Sequence, residues 1–521
     1  MKLASLVARL LAVAILLIAF GLSVYRAKVQ TIAHDEALTY EWFLDQGVEH
    51  VLHYNPANHV LQTLMAKPIV KFFGVTEFKF RIASLVGAGV YLTAVYLLCR
   101  QLFGEGLVFL LTVAMLALNP LVRDFMAAAR GYSLGLAGLV VAMFAMARLA
   151  SRGEFDAKDK QWRWGCAIAS IALALAVAAN LTNIVPTACL TLACALVTLG
   201  GPGSLFQFGD ERVRGFAKYF LAPGAATGFC ILWPYLIQMR PAHGQVYFES
   251  GHAALRDIFD ASFLYPWTDD LLNDLGAVAP APGSWQSRMT DVGEYVLLPL
   301  LCFLVLAGLT LALRSRVSDR PGQRAQCQIF AGAAAGCVAL PVVLHFVAKL
   351  DYPHSRYCLF VVPLFTVGGM LAAKEISARF PSRIVKGLGL LVSAGVVCVY
   401  AQSLDAKTFR YNKYDSISRE LYDAIERDAR AHGLTNAGVG GTWWYEPEIN
   451  FYRLRFRSTW MQEYEIKDKS YWWNTPNSLT PADYDYFVFI PVSDPGLSGP
   501  RIRTIYHDAR AQVTIIAIAR K

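Results

Sequence analysis

Charge is scarce in this chain: Asp, Glu, Lys and Arg make up 17% of its 521 residues, against about a quarter in soluble domains. That shortage, with 55% hydrophobic residues and a mean hydropathy of +0.38, excludes an ordinary soluble globule. No Cys-x-x-Cys or mixed Cys/His spacing of a zinc site is present. The ten cysteines, Cys99 to Cys398, all lie in or beside apolar runs. The tail from 403 to 521 has none, so their even number is no sign of a disulfide framework. They read as small buried hydrophobes. No repeat or low-complexity tract stands out. No small-x-small cleavage site follows the first apolar run, which closes on Tyr25-Arg26-Ala27-Lys28. That run is therefore an uncleaved helix rather than a signal peptide.

What is there is a series of long apolar runs. They fall at about 6–24, 80–99, 106–122, 132–147, 164–181, 184–199, 219–238, 293–313, 327–347, 357–373 and 384–402, eleven in all. A helix needs about 20 such residues to cross a hydrocarbon core of ~30 Å. Spans this apolar must be helical, because only a helix satisfies its own backbone amides there. The expected fold class is a polytopic α-helical membrane protein of about 11 transmembrane helices, covering 1–402, followed by a small α/β domain over 403–521.

Cationic residues alternate between loops. Lys2 and Arg9 precede the first span, and Arg100 follows the second. Arg148, Arg152, Lys158, Lys160 and Arg163 separate spans four and five; Arg212, Arg214 and Lys218 separate six and seven. Arg314, Arg316, Arg320 and Arg324, then Lys374, Arg379, Arg383 and Lys386, mark the next two such loops. The positive-inside rule places these loops and the N-terminus in the cytoplasm, and the C-terminal domain outside. The net charge of +9 is then a signature of topology. It calls for no nucleic-acid partner.

The outer loops are uneven. The first, about 25–79, holds a short helix from Ala37 to Leu44 and an interfacial helix from His59 to Phe73, bent at Pro68. The loop 239–292, with Trp267, Asp269 and Asp270, is long enough for a lid. In the tail, Asp415–His432 and Pro447–Tyr452 read as helices, and Ala437–Trp444, Tyr484–Pro491 and Val513–Ile518 as strands. Trp443, Trp444, Trp460, Trp472 and Trp473 have faces that can stack on sugar rings, yet tryptophan more often serves a core or a membrane interface.

Three polar clusters share the outer face: His34-Asp35-Glu36, Ala129-Arg130-Gly131-Tyr132 and His354-Ser355-Arg356-Tyr357. One acid of the Asp35/Glu36 pair can take a proton from a hydroxyl while the other positions a group or a cation. Alone, such a pair reads as a solvated loop. Arg130 and Arg356 can each fork two hydrogen bonds onto a phosphate, or snorkel to headgroups. Tyr132 and Tyr357 either orient those arginines or anchor the interface, and His354 adds a donor. Gly131 and Gly135 form a Gly-x-x-x-Gly packing pair. Asp124 either pairs with Arg123 or reaches a metal.

These motifs, in this order, resemble a polyprenyl-phosphate-sugar-dependent glycosyltransferase of the GT-C superfamily. The likeness is to the branch of protein O-mannosyltransferases, lipid A aminoarabinose transferases and rhizobial galacturonosyltransferases. It rests also on Asn58-His59-Val60-Leu61, Phe80-Arg81-Ile82-Ala83-Ser84, Asn119-Pro120 and Pro363, and covers about residues 1–400. It implies inverting transfer of a sugar from a polyprenyl phosphate to an acceptor hydroxyl on a glycan, lipid or protein. The cell envelope of a bacterium is implied, at the outer face of the inner membrane, with a periplasmic tail. Asp35 would be the general base, supported by Glu36. Arg130, Arg356, Tyr132 and Tyr357 would hold the donor phosphate, and His34, Asn58, His59, Arg81 and His354 would shape the pocket. No cofactor is required on chemical grounds; a divalent cation is compatible, with Asp35, Glu36 and Asp124 as its ligands.

Two other classes fit many apolar helices. A transporter or flippase of envelope glycans would place ionisable groups near mid-bilayer, whereas these lie at span ends. A non-catalytic scaffold would use the tail and leave the acid and arginine clusters idle.

Overall fold

The structure, a computed structural model, describes residues 2–52, 55, 58–152, 158–199, 210–238, 298–314, 321–348, 350, 353, 355–380, 382–404, 414–464, 484–490, 496, 498–508 and 513–519. The loop 239–292, His354, Trp472 and Trp473 lie outside them.

Each expected span falls on a helix. The first elements are α1 (Lys2–Val29), α2 (His34–Thr39), α3 (Val48–Val51), α4 (Val60–Phe73), α5 (Glu77–Phe80) and α6 (Ile82–Phe103). Next come α7 (Leu107–Leu118), α8 (Pro120–Ala127), α9 (Tyr132–Ser151), α10 (Lys160–Ala179) and α11 (Ile184–Leu199). The bundle continues with α12 (Asp210–Phe216), α13 (Ala222–Leu236), α14 (Leu298–Arg314), α15 (Pro321–Ala348), α16 (Val361–Arg379) and α17 (Arg383–Gln402). Among the described residues, seven helices are long and apolar enough to cross a membrane, or eight if α7 and α8 count as one broken span. The expected count of eleven therefore exceeds what helix length and composition establish.

The third expected span is broken for a chemical reason. Pro120 lacks an N–H and crowds the residue before it, so Asn119 leaves the helical region at ψ 125. The Asn119 side chain then accepts the Val122 N–H at 3.0 Å, and the chain restarts with proline in the first turn. The two halves meet at a 54° bend. Every residue of α8 is buried, including Arg123 and Asp124. The break between α10 and α11 follows similar logic: Asn180 caps the Thr182 N–H at 3.0 Å. Gly135 makes room for the Asn183 side chain at the face where α9 meets α10.

In the first loop, α2 runs into a wide turn over Tyr40–Leu44, closed by Asp45 N–H on the Tyr40 carbonyl at 2.8 Å. The helix expected over Ala37–Leu44 is thus one residue per turn wider at its end. Helix α4 runs on through Pro68, and Phe72 and Phe73 stand exposed at its end.

The tail forms a four-stranded sheet in the order β1 (Val439–Gly441), β2 (Tyr486–Phe489), β4 (Val513–Ile518), β3 (Ile502–Asp508). β1 and β2 are parallel; the other pairs are antiparallel. Helices α18 (Ser418–Ala431) and α19 (Glu446–Phe456) pack with it. The strand expected over Ala437–Trp444 is shorter, because Trp443–Tyr445 turns into α19. Strand β3 was not expected: Arg503, Thr504, His507 and Asp508 interrupt any apolar alternation. The main core of this domain is shared with the bundle. Leu421, Ile449, Phe451 and Val488 form one cluster with Ile32, Ala37, Phe80 and Ala129.

Candidate active site

The site sits where α2, the α8–α9 turn, the short turn Ser355–Cys358 and the C-terminal domain converge. Helix α2 starts at Ala33, which has no capping side chain. Glu36 reaches back instead and takes the Ala33 N–H at 3.0 Å.

Glu36 is fully buried, and four donors fill its carboxylate. Arg81 gives Nε to Oε1 at 2.9 Å and Nη2 to Oε2 at 2.5 Å. The Ala129 N–H reaches Oε1 at 2.5 Å. The Arg81 guanidinium also donates to the carbonyls of Gln30 at 2.8 Å and Thr31 at 2.6 Å. One buried ion pair thus ties together the end of α1, the start of α2 and the residue before Arg130. The resemblance implies that Glu36 supports Asp35; in the structure its oxygens are engaged inside the protein.

Asp35, its neighbour, points the other way and stays partly exposed. Its Oδ2 receives Nη1 of Arg130 and Nη1 of Arg356, the latter at 2.8 Å. Arg130 lies in a turn that only glycine can complete. Gly131 adopts φ +69, and a Cβ there would collide with the Ala179 carbonyl and touch His59. Ser84 steadies the same turn, 2.8 Å from the Ala128 carbonyl. Arg130 lies over the Tyr132 ring, 6.0 Å from its centroid, and Arg356 over Tyr357 at 5.5 Å.

His59 is buried against Tyr132, ring centroids 5.6 Å apart. Burial first, and then the Arg356 cation, lower its imidazole to about 4, against a raising hydrogen bond with the Ala179 backbone. It is neutral at ordinary pH.

Other expected residues take different places. Asn58 bridges the Val51 carbonyl at 2.9 Å and the Thr63 hydroxyl at 3.1 Å, folding the loop before α4. His34 stacks on Trp444 at 5.4 Å, meets Trp443 edge-on at 5.3 Å, and places Nδ1 2.6 Å from the Trp444 carbonyl. The C-terminal domain therefore touches the residue beside Asp35. Tyr452 adds a hydroxyl accepting the Ile32 N–H at 3.2 Å, and Arg455 pairs with Glu77.

The three carboxylates expected as metal ligands each face a different cation. Asp35 faces Arg130 and Arg356, Glu36 faces Arg81, and Asp124 pairs with Arg26 at 2.5 Å in the bundle. Among the described residues no group of three His, Cys, Asp or Glu side chains is placed to hold a metal. Sequence reasoning missed Arg26, because a cation closing an apolar run looks like a snorkelling flank. Ser84 and Ala129 entered that reasoning only as parts of motifs, without the contacts the structure gives them, because neither carries a charge signal.

No family profile matches the chain, and no curated protein matches it. Solved structures do. ArnT from Cupriavidus metallidurans in the apo state is 14% identical, with a TM-score of 0.50 over 98% of this chain and 97% of that one. The same protein bound to undecaprenyl phosphate gives 15% identity and a TM-score of 0.46 over the same shares. The Archaeoglobus fulgidus oligosaccharyltransferase in complex with zinc and sulfate gives 13% identity and a TM-score of 0.46, over 91% of this chain and 68% of that one. The first of these likenesses shows that the chain has the ArnT fold nearly end to end.

Proposed function

We propose that this protein is a membrane glycosyltransferase that moves a sugar from a polyprenyl-phosphate donor to an acceptor hydroxyl. The observation that carries the reading is the convergence of Arg130 and Arg356 on one oxygen of Asp35. Two guanidiniums and one partly exposed carboxylate are the groups that an anionic leaving group and a hydroxyl nucleophile require. The ArnT fold supports it.

The donor phosphate has the charge to draw the two arginines off Asp35. The freed carboxylate takes the proton of the acceptor hydroxyl as its oxygen attacks the anomeric carbon. The bond from that carbon to the phosphate oxygen breaks, its electron pair leaves with the polyprenyl phosphate, and the configuration inverts. Arg130 and Arg356 neutralise the charge that grows on the leaving oxygen. His59 and Tyr132 line this phosphate pocket, with Tyr357 beneath Arg356. Glu36 and Arg81 hold the loops in register. In this reading the face and the C-terminal domain lie outside a bacterial inner membrane, which the alternation of cationic loops supports as to side.

The test is release of polyprenyl phosphate by the purified full chain in detergent, from a panel of lipid-phosphate sugars with candidate acceptors. Wild type is expected to turn over at least one donor, and Asp35→Asn, equally folded, to lose it. Equal turnover in both removes Asp35 as the base.

A further inference from the structure

A second recess opens farther along the same helical run. Its cavity of about 340 Å³ is lined by Glu41, Trp42, Phe43, Gln46, His50 and Asn55. That volume falls at the lower end of the usual range for small-molecule sites. Nothing in the phosphate site uses these groups.

The backbone here is unusual. After α2 the helix widens over Tyr40–Leu44. Such turns are rare, because they loosen the regular ladder, and they recur at functional sites. This one is secured from outside: the Lys67 ammonium on α4 reaches the carbonyls of Leu44 at 2.7 Å and Phe43 at 3.3 Å, and that of Gln46. The widening changes the facing of the residues that follow it. Trp42 stands exposed, Glu41 is half-buried and Phe43 is buried.

The lining has a definite chemistry. Trp42 offers an aromatic face, Glu41 a carboxylate able to accept two hydroxyls, Gln46 and Asn55 amides, and His50 an imidazole. It has no lysine or arginine among the described residues. Helix α19 of the C-terminal domain packs on the Tyr40–Leu44 turn, and Glu41 feels the charges of Glu463, Arg453 and Asp45. A phosphate finds no built cradle here, whereas a ring of hydroxyls finds a platform and acceptors. Glu41 lies six residues beyond Asp35, or roughly 9 Å along a helical rise of ~1.5 Å per residue.

We propose that this recess is a saccharide subsite, in which Trp42 stacks on and Glu41 hydrogen-bonds a neutral or amino-bearing sugar ring of the acceptor while a neighbouring hydroxyl reaches Asp35. The role as acceptor site rests on the transferase reading; binding of the sugar does not.

The test is saturation-transfer NMR on the full chain in detergent with named probes: chitobiose, cellobiose, the disaccharide of glucosamine, and glucose 1-phosphate. The disaccharides are expected to bind wild type through Trp42, whereas glucose 1-phosphate, which the Arg130 and Arg356 pair can take, is expected to bind independently of Trp42. Trp42→Ala is expected to weaken disaccharide binding about tenfold, the scale of one lost stacking contact, and Glu41→Gln severalfold. Trp42→Phe, which keeps a ring face and the fold, restores most of the binding. Trp233→Phe, at an exposed position outside the lining, leaves it unchanged. Disaccharide binding equal in wild type and in a folded Trp42→Ala overturns the subsite, as does no binding of any disaccharide. Polyprenyl phosphate release, measured in parallel, separates the two readings. Release without sugar binding sinks the subsite alone; sugar binding without release from any donor sinks the transferase alone.

Discussion

Asp35 and Arg356 are 321 residues apart in the chain, yet Arg356 Nη1 lies 2.8 Å from Asp35 Oδ2. Arg130 meets the same oxygen. The bundle therefore brings three polar clusters, each unremarkable alone, to one carboxylate. If the two arginines hold a phosphate, replacing either by alanine raises KM for the donor and lowers kcat together. Arg130→Lys keeps the charge but loses the fork, so it recovers only part of the loss. Asp35→Asn lowers kcat by about 10²–10⁴, the usual worth of a general base. Initial rates over a range of donor concentrations check all three. An unchanged KM in both alanine variants would falsify the phosphate assignment.

Glu36 and Arg81 form an ion pair with no solvent exposure on either side chain. Removing one partner strands the other charge, at a cost of about 3–5 kcal/mol. Glu36→Gln and Arg81→Met are each expected to lower the unfolding temperature in detergent. The double variant should cost less than their sum, since it strands no charge. Strict additivity in thermal unfolding would show that the pair is not coupled.

His59 carries a pH signature. Its imidazole is lowered to about 4 from the ordinary 6.5. Between those values the unfolded chain holds the proton and the folded chain does not. Stability is therefore complete above about pH 6.5 and declines as pH falls toward 4, by up to about 3 kcal/mol. His59→Gln should flatten that slope. Denaturation midpoints at pH 4.5, 5.5 and 7 measure it, and an equal slope in the variant sinks the assignment.

Gly131→Ala tests the turn that presents Arg130. The substitution forces a Cβ onto the Ala179 carbonyl at a positive φ. It is expected to lower both stability and donor affinity. A variant with wild-type kinetics would mean that Arg130 does not depend on that turn.

The helical bundle was legible because hydrocarbon leaves the backbone no alternative. Asp35, Arg130 and Arg356 were legible as charges at span ends on one face, though the sequence did not show that they meet. The mutual contact depends on Glu36, whose partners are Arg81 and two backbone amides, and amides leave no trace in composition. The break at Asn119-Pro120 was in plain view, but the apolar run through Val122 hid it. The recess beside Trp42 depends on the widened turn over Tyr40–Leu44, and hydrophobic periodicity does not reveal one extra residue in a turn. In the tail, β3 escaped because one face of an edge strand is polar.

The Arg26–Asp124 pair carries a consequence for how the chain is made. Synthesis runs from the N-terminus, so α1 is delivered before α8 leaves the ribosome. A lone aspartate in hydrocarbon costs about 2.5–3.5 kcal/mol even by the mildest scale. Arg26, at the end of α1, is already in place when Asp124 arrives. The order of the two residues in the gene thus has a partner waiting for Asp124 when it is made. A circular permutant that begins after α1 reverses that order, and would have to insert α8 with its acid bare.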